Sequence, residues 1–216
     1  MPASPSISVA LATYNGAKFL QTQLDSLAAQ TLPPAELVVG DDGSTDATFD
    51  ILEQFARRVS FPVRVLRNPI NLGYTGNFLA TAARCTGELI AFCDQDDFWE
   101  PTKLERCARE FADPRVSLVV HNGWSTDAEL KSTGVPTQPS LTRRLRLRRV
   151  TMHPAMMTLH GMRMICRRQL LSDIPWDRRP PPYDILHTDG RPMAHDRWIP
   201  FLASVVGETV LIPDKL

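Results

Sequence analysis

No stretch of the 216-residue chain offers ~18 consecutive apolar residues, so nothing in it reads as a membrane span. Cysteine is scarce, at Cys85, Cys93, Cys107 and Cys166 only. None of them forms a C-x-x-C pair, and no histidine stands at zinc-finger spacing from them. The expectation is four scattered reduced thiols, not a zinc site or a disulfide framework. Net charge is absent too, with 24 basic and 24 acidic side chains. That balance argues against a general nucleic-acid binder while leaving room for a local patch. Residues 1–5 lack a basic segment followed by an apolar one, so a secretory signal is not expected and a reducing cytoplasm is the default.

What is present fits a soluble globular chain: 43% hydrophobic and 22% charged residues, in a length that suits one domain with a substantial core. The charge is unevenly laid out. Residues 1–100 carry 12 acidic and 6 basic side chains, and residues 101–216 carry 12 acidic and 18 basic. An acidic first half can hold a metal, and a basic second half can meet an anionic partner.

The first half alternates two periodicities. Ile7–Ala12, Leu37–Gly40, Val63–Leu66, Glu88–Cys93 and Val116–Val120 are short apolar runs of strand character. Between them, Leu20, Leu24 and Leu27 fall at i, i+4 and i+7, and Phe49, Leu52 and Phe55 keep helical spacing. Residues 76–83 and the Leu104–Phe111 stretch read as further helices. Strands alternating with helices predict an α/β fold, a doubly wound and mostly parallel sheet flanked by helices. The second half is less regular. Residues 125–150 read as a long irregular loop, functional or mobile, ending in the basic run Arg143–Arg149. Residues 162–166 suggest a strand, Pro180–Pro182 a stiff linker, and 194–206 a helix with Trp198, Phe201, Leu202 and Val205 on one face.

In such sheets ligands bind beyond the carboxyl ends of the strands, and three polar clusters stand at strand or helix ends. Asp94-Gln95-Asp96-Asp97 puts three carboxylates within four residues, which repel one another unless a cation shares them. Mg²⁺ or Mn²⁺, held by one or two carboxylates and a substrate diphosphate, is the usual solution; an acidic turn capping the next helix is the plainer reading. Asp41-Asp42-Gly43-Ser44-Thr45-Asp46 is a strand-to-helix turn whose second carboxylate can accept the N3–H of uracil or thymine. His195-Asp196-Arg197-Trp198 opens the last helix, where an Asp is by default a cap. A base-reading carboxylate beside a metal-holding group describes a nucleoside diphosphate site.

These motifs, in this order and spacing, resemble the family 2 glycosyltransferases of the GT-A fold, over residues 6–214. Val9–Gly16 looks like that family's first strand and turn, Asp41–Asp46 its second-strand motif, and Asp94–Asp97 its D-x-D-D motif. Gly161–Cys166, Arg168–Leu171 and His195–Trp198 are similar to the bacterial rhamnosyltransferase branch. The resemblance implies Thr13, Tyr14, Asn15 and Asp42 at the base and ribose, and Asp94 and Asp96 at ribose and diphosphate. It implies Asp96 and Asp97 on the metal, Mg²⁺ or Mn²⁺, and Asp196 as general base. His195 and Trp198 would then stand at the acceptor or form a lid. Residues 1–100 would be the nucleotide-sugar half of a single domain, and 101–216 the acceptor half. Relatives usually continue with a further segment, which would leave the site here more open.

The implied reaction is inverting transfer from a UDP- or dTDP-sugar to a glycan or lipid-linked saccharide acceptor, in bacterial surface polysaccharide synthesis. The expected location is the cytoplasm, at the inner face of the membrane if Arg143–Arg149 contacts anionic lipid. A haloacid-dehalogenase-type phosphatase also places D-x-D after a strand, but the Thr it needs is missing from Asp94–Phe98. A non-catalytic nucleotide- or glycan-binding module of the same fold stays open at this point.

Overall fold

The apolar runs of the first half become the parallel half of one sheet. In a computed structural model, which describes residues 4–127, 131–148, 159–172, 179 and 193–216, β1 spans Ile7–Thr13, β2 Glu36–Asp41, β3 Val63–Arg67 and β4 Leu89–Cys93. Between them run α1 (Ala17–Ala28), α2 (Thr48–Ala56) and α3 (Gly73–Ala82). β1 pairs in parallel with β2 and β4, and β2 with β3. Successive side chains on a strand face opposite ways, and both faces of these strands are covered. Val9, Leu11, Leu37, Val39 and Ala91 pack with Leu20, Leu24, Leu52 and Phe55 on one side. Ala10, Val38, Ile90 and Phe92 pack with Phe78 and Leu79 on the other.

The order of the sheet departs from a simple parallel run. α4 (Lys103–Ala108) and a following 3₁₀ turn lead into β5 (Val116–Asn122). β5 does not lie beside β4. β9 (Met164–Arg167) inserts between them, antiparallel to both, with Cys166 opposite Ile90 on one side and Leu118 on the other. After the short α5 (Gln169–Ser172), α6 (His195–Val206) covers the same face as α3, and β10 (Glu208–Lys215) pairs in parallel with β5. The strand order is β3-β2-β1-β4-β9-β5-β10-β8.

The expectation of a long irregular loop at 125–150 is corrected. β6 (Trp124–Thr126) and β7 (Ser132–Pro136) form an antiparallel hairpin, and β8 (Leu145–Leu147) pairs with β10 at the sheet edge. Two arginines of the basic run are held by carboxylates. Arg144 reaches Glu110 at 2.8 Å, and Arg146 bonds Asp113 at 2.6 Å and also Glu208. Arg149, His153 and Pro180–Pro182 lie outside the described residues. All four cysteines are free and buried, as expected. Among the described residues no helix is long and apolar enough to cross a membrane.

Candidate active site

The carboxyl ends of β1, β2 and β4 open together onto a cleft of about 330 Å³, lined by Thr13, Tyr14, Asp42, Tyr74, Asp94 and Asp96 among others. Its floor is a set of turns tied to one another. Tyr14 donates its N–H to Gln95 Oε1 at 2.9 Å, and its carbonyl accepts from Gln95 Nε2 at 3.2 Å. Gln95 lies so close to Gly16 that a Cβ there would meet Oε1 at 2.2 Å, so any larger residue would displace the Gln95 amide from Tyr14. Asn15, in a left-handed conformation with φ 47°, accepts the Thr45 N–H at 2.8 Å. Its side chain therefore joins two turns, and its oxygen is already engaged.

Asp41 and Asp42 have separate jobs. Asp41 is fully buried and accepts from Thr13 Oγ1 at 3.0 Å and from the Ser44 N–H at 2.9 Å. The Thr13 hydroxyl is thus spent on the fold, although Thr13 borders the cleft. Asp42 faces the cleft and the start of α3. Its Oδ1 accepts from Asn68 Nδ2 and the Leu72 N–H, and its Oδ2 from the Gly73 N–H, all at 2.9 Å. What remains for a ligand is spare lone-pair capacity, chiefly on Oδ2.

After β4 the acidic turn divides between two cavities. Asp94 and Asp96 border the cleft, and Asp97 borders the cavity next to it. Burial, then Asp97 and Asp96, pushes the Asp94 carboxyl up to about 7. Burial, opposed by Lys103 and assisted by Asp96, pushes Asp97 up to about 6. Lys103 is pulled down to about 8 by its own burial, against the attraction of Asp97. Desolvation outweighs attraction at both ends of this pair. Asp97 Oδ2 is buried without a hydrogen-bond partner. A divalent cation would relieve the crowding and that orphaned oxygen, so the oxygen-rich donor set fits Mg²⁺ or Mn²⁺. Among the described residues no three His, Cys, Asp or Glu side chains form a ready-made cage. The fit is therefore to an ion held by one or two carboxylates, with other ligands from substrate phosphates.

α6 brings the third cluster to the same place. Asp196 sits in its first turn, yet no side chain caps this helix, and Asp196 Oδ1 is buried with no partner. Burial raises its pKa, offset by Arg197, His160 and backbone N–H groups at the helix start. Asp196 in turn helps to raise Asp94, which places the two carboxylates in one electrostatic field. His195 and Trp198, expected at the acceptor or in a lid, are 4% and 6% exposed. The His195 ring packs 4.6 Å from Phe78 and 5.8 Å from Phe92, and Trp198 stacks on Phe201 at 5.7 Å. Both anchor α6 within the fold and present little to solvent.

Four neighbours escaped the sequence reading. Gln95 sits inside a motif read for its carboxylates. Lys103 precedes Leu104 on an ordinary amphipathic turn. Arg163 is 3% exposed and donates to His160 Nδ1 at 2.9 Å. His160 is exposed and lies within the field of Asp196. The only available signal was the His160–Arg163 spacing of three.

An α/β sheet of this order, with an acidic turn at its central carboxyl edge, has the GT-A architecture. Glycosyl transferase family 2 matches residues 8–174, and the chain belongs to that family. It is 38% identical over 116 residues to an uncharacterized glycosyltransferase, alr2836, of Nostoc sp., covering 54% of this chain and 36% of that one. It is 30% identical over 117 residues to the chondroitin synthase of Pasteurella multocida, covering 54% of this chain and 12% of the synthase. The crystal structure of S. aureus TarS 1–349 superposes with a TM-score of 0.74 at 26% identity, covering 97% of this chain and 58% of that one. The chain spans about a third of the length of its first curated relatives, 36% of alr2836 for example.

Proposed function

We propose that this site transfers a sugar from a nucleoside diphosphate sugar to an acceptor hydroxyl, with inversion at the anomeric carbon. The observation that carries this reading is Asp196: a buried carboxylate oxygen with no partner, at a helix start that it does not cap, in the field of the donor cleft. Family membership supports the reaction class. Spare acceptor capacity on Asp42 supports a UDP- or dTDP-sugar, whose base offers an N3–H.

The residues divide the work. Tyr14 and Asp42 face the nucleoside, and Asp94 and Asp96 face ribose and diphosphate. Asp96 and Asp97 would hold Mg²⁺ or Mn²⁺, which when bound would supply counter-charge to the leaving diphosphate. As the acceptor oxygen bonds to the anomeric carbon, the bond to the diphosphate breaks and the acceptor proton passes to Asp196. The transition state has oxocarbenium character, as in glycoside hydrolysis. Surface polysaccharide is the proposed destination of the sugar.

The test is transfer itself. The chain is incubated with UDP-, dTDP- and GDP-sugars, Mg²⁺ or Mn²⁺, and a panel of glycan acceptors. Nucleotide release, mass gain on the acceptor and an inverted anomeric proton signal are expected. Nucleotide binding with no release across the panel would sink the catalytic reading in favour of a binding module.

A further inference from the structure

The cavity beside the donor cleft, of about 240 Å³, is walled by residues far apart in sequence: Asp97 and Lys103, Trp124 on the β6–β7 hairpin, His160, Arg163 and Lys215. Two of its cations are almost wholly buried, Lys103 at 1% and Arg163 at 3% exposure. Among the described residues, no carboxylate oxygen lies within 4.0 Å of a charged nitrogen of Lys103, Arg163 or Lys215. Lys103 Nζ donates to Met162 O at 2.7 Å and stands 3.5 Å from the centroid of the Trp99 ring. Arg163 donates from Nη1 to Thr137 Oγ1 and from Nη2 to His160 Nδ1, both at 2.9 Å. Its Nε–H is buried and has no partner. At the mouth, Lys215 Nζ lies 4.2 Å from the centroid of Trp124, an exposed ring.

Buried charges in proteins are normally paired, because an uncompensated one is costly. Asp97 acts on Lys103 and Arg163 only through space, and the donor side also draws on it. The wall carries three cations, Lys103, Arg163 and Lys215, against two side-chain carboxylates, Asp97 and Glu100, which leaves it one negative charge short. We propose that it binds the acceptor through an anionic group, a phosphate or a carboxylate. That the anion belongs to an acceptor rests on the transfer reading above; the preference for an anion rests on the cavity alone. Arg163 bonds His160, whose pKa is held below its ordinary value by burial and then by Arg163 and which lies in the field of Asp196, so the anion site stands beside the proposed proton acceptor. Trp124 at the mouth offers an aromatic face to a sugar ring.

The experiment titrates the isotope-labelled full chain and follows the indole N–H signals of Trp99 and Trp124. The probes are inorganic phosphate, glucose 1-phosphate, methyl glucuronide and the neutral methyl glucoside, each with and without UDP and Mg²⁺. A charged sugar is expected to bind roughly tenfold more tightly than the glucoside, and to weaken as salt is raised. The phosphate and glucuronide arms tell the two anions apart. Arg163→Gln is expected to lose about tenfold in affinity for the charged sugar. Should that variant fail to fold, Lys215→Glu at the cavity mouth carries the same expectation. Equal binding of charged and neutral sugars, or charged-sugar binding untouched by Lys215→Glu, overturns the inference. UDP binding is measured separately by calorimetry. Failure of the donor reading and failure of the anion site are therefore distinct results.

Discussion

Gly161 lies against the ring of His195 so closely that a Cβ at position 161 would sit 2.2 Å from Nε2. The contact joins the turn before β9 to the first turn of α6, and His195 precedes Asp196. Gly161→Ala forces the ring to shift within its packed surroundings at the start of α6. Overpacking of this kind costs about 1–3 kcal/mol, which lowers Tm by roughly 2–4 °C per kcal/mol in a chain of this size. Transfer is expected to fall further than stability accounts for, because the displaced ring immediately precedes Asp196, the proposed proton acceptor. An alanine variant with unchanged Tm and turnover would show that the contact positions nothing.

The same ring makes folding depend on pH. Burial, then Arg179, pushes the His195 pKa from 6.5 down to about 3. The folded value is the lower one, so protons favour the unfolded chain. This contribution is intact above pH ~6.5 and is lost as pH falls toward ~3, about 2 kcal/mol of it by pH ~5. His195→Gln loses aromatic packing at every pH but does not titrate. The Tm gap between wild type and variant is therefore expected to narrow between pH ~7.5 and ~5. A gap that stays constant would mean that the folded ring titrates normally.

How these two elements came to meet shows what a one-dimensional reading reaches. β1, β2 and β4 were legible because each is a buried apolar run, and α1 because Leu20, Leu24 and Leu27 repeat at helical spacing. The clusters at their ends were legible because turn chemistry is local. The place of β9 was not, since four residues, Met164–Arg167, pair with two strands distant in sequence. β6, β7 and β8 are short, and their exposed or half-buried residues give no alternation to read. The cations beside Asp97 were missed for a related reason. Lys103 and Arg163 become buried only when the His160–Arg163 turn closes over α4 and the hairpin, a purely tertiary event.

Asp42 illustrates a residue whose expected role is only part of its work. Three donors, from Asn68, Leu72 and Gly73, converge on its carboxylate. Asp42→Asn turns one oxygen into a donor that must face another donor. An unsatisfied buried polar group costs about 1–3 kcal/mol. The variant is therefore expected to melt several degrees lower and to bind UDP more weakly. Lost affinity with an unchanged Tm would assign Asp42 to the base alone. If Asp42 does read the base, UDP and dTDP should bind the wild-type chain more tightly than GDP and CDP in calorimetry.

Asp196 allows the cleanest separation of structure from chemistry. An Asp in the first turn of a helix is ordinarily a stabilising group, but here no side chain caps α6 and Oδ1 has no partner. Asp196→Asn keeps an amide oxygen for the backbone N–H groups at the helix start, and it spares the fold a half-buried charge. Donor binding and Tm at pH ~7 should hold or rise slightly, while transfer falls by roughly 10²–10⁴. The pH dependence follows from the direction of the shift. Burial raises the Asp196 pKa above its ordinary value of 3.8. A raised folded value means that stability from this group is present below the ordinary carboxylate range and is lost as pH rises through the raised pKa. The asparagine variant should thus gain on wild type in Tm as pH rises from ~4 to ~7. Turnover runs the opposite way, because only the ionised form accepts the acceptor proton. Wild-type kcat is expected to drop on acidification with an inflection above ~4, and the residual activity of the variant should lack that inflection. Near-wild-type turnover by Asp196→Asn would end the assignment, whatever the melting curves show.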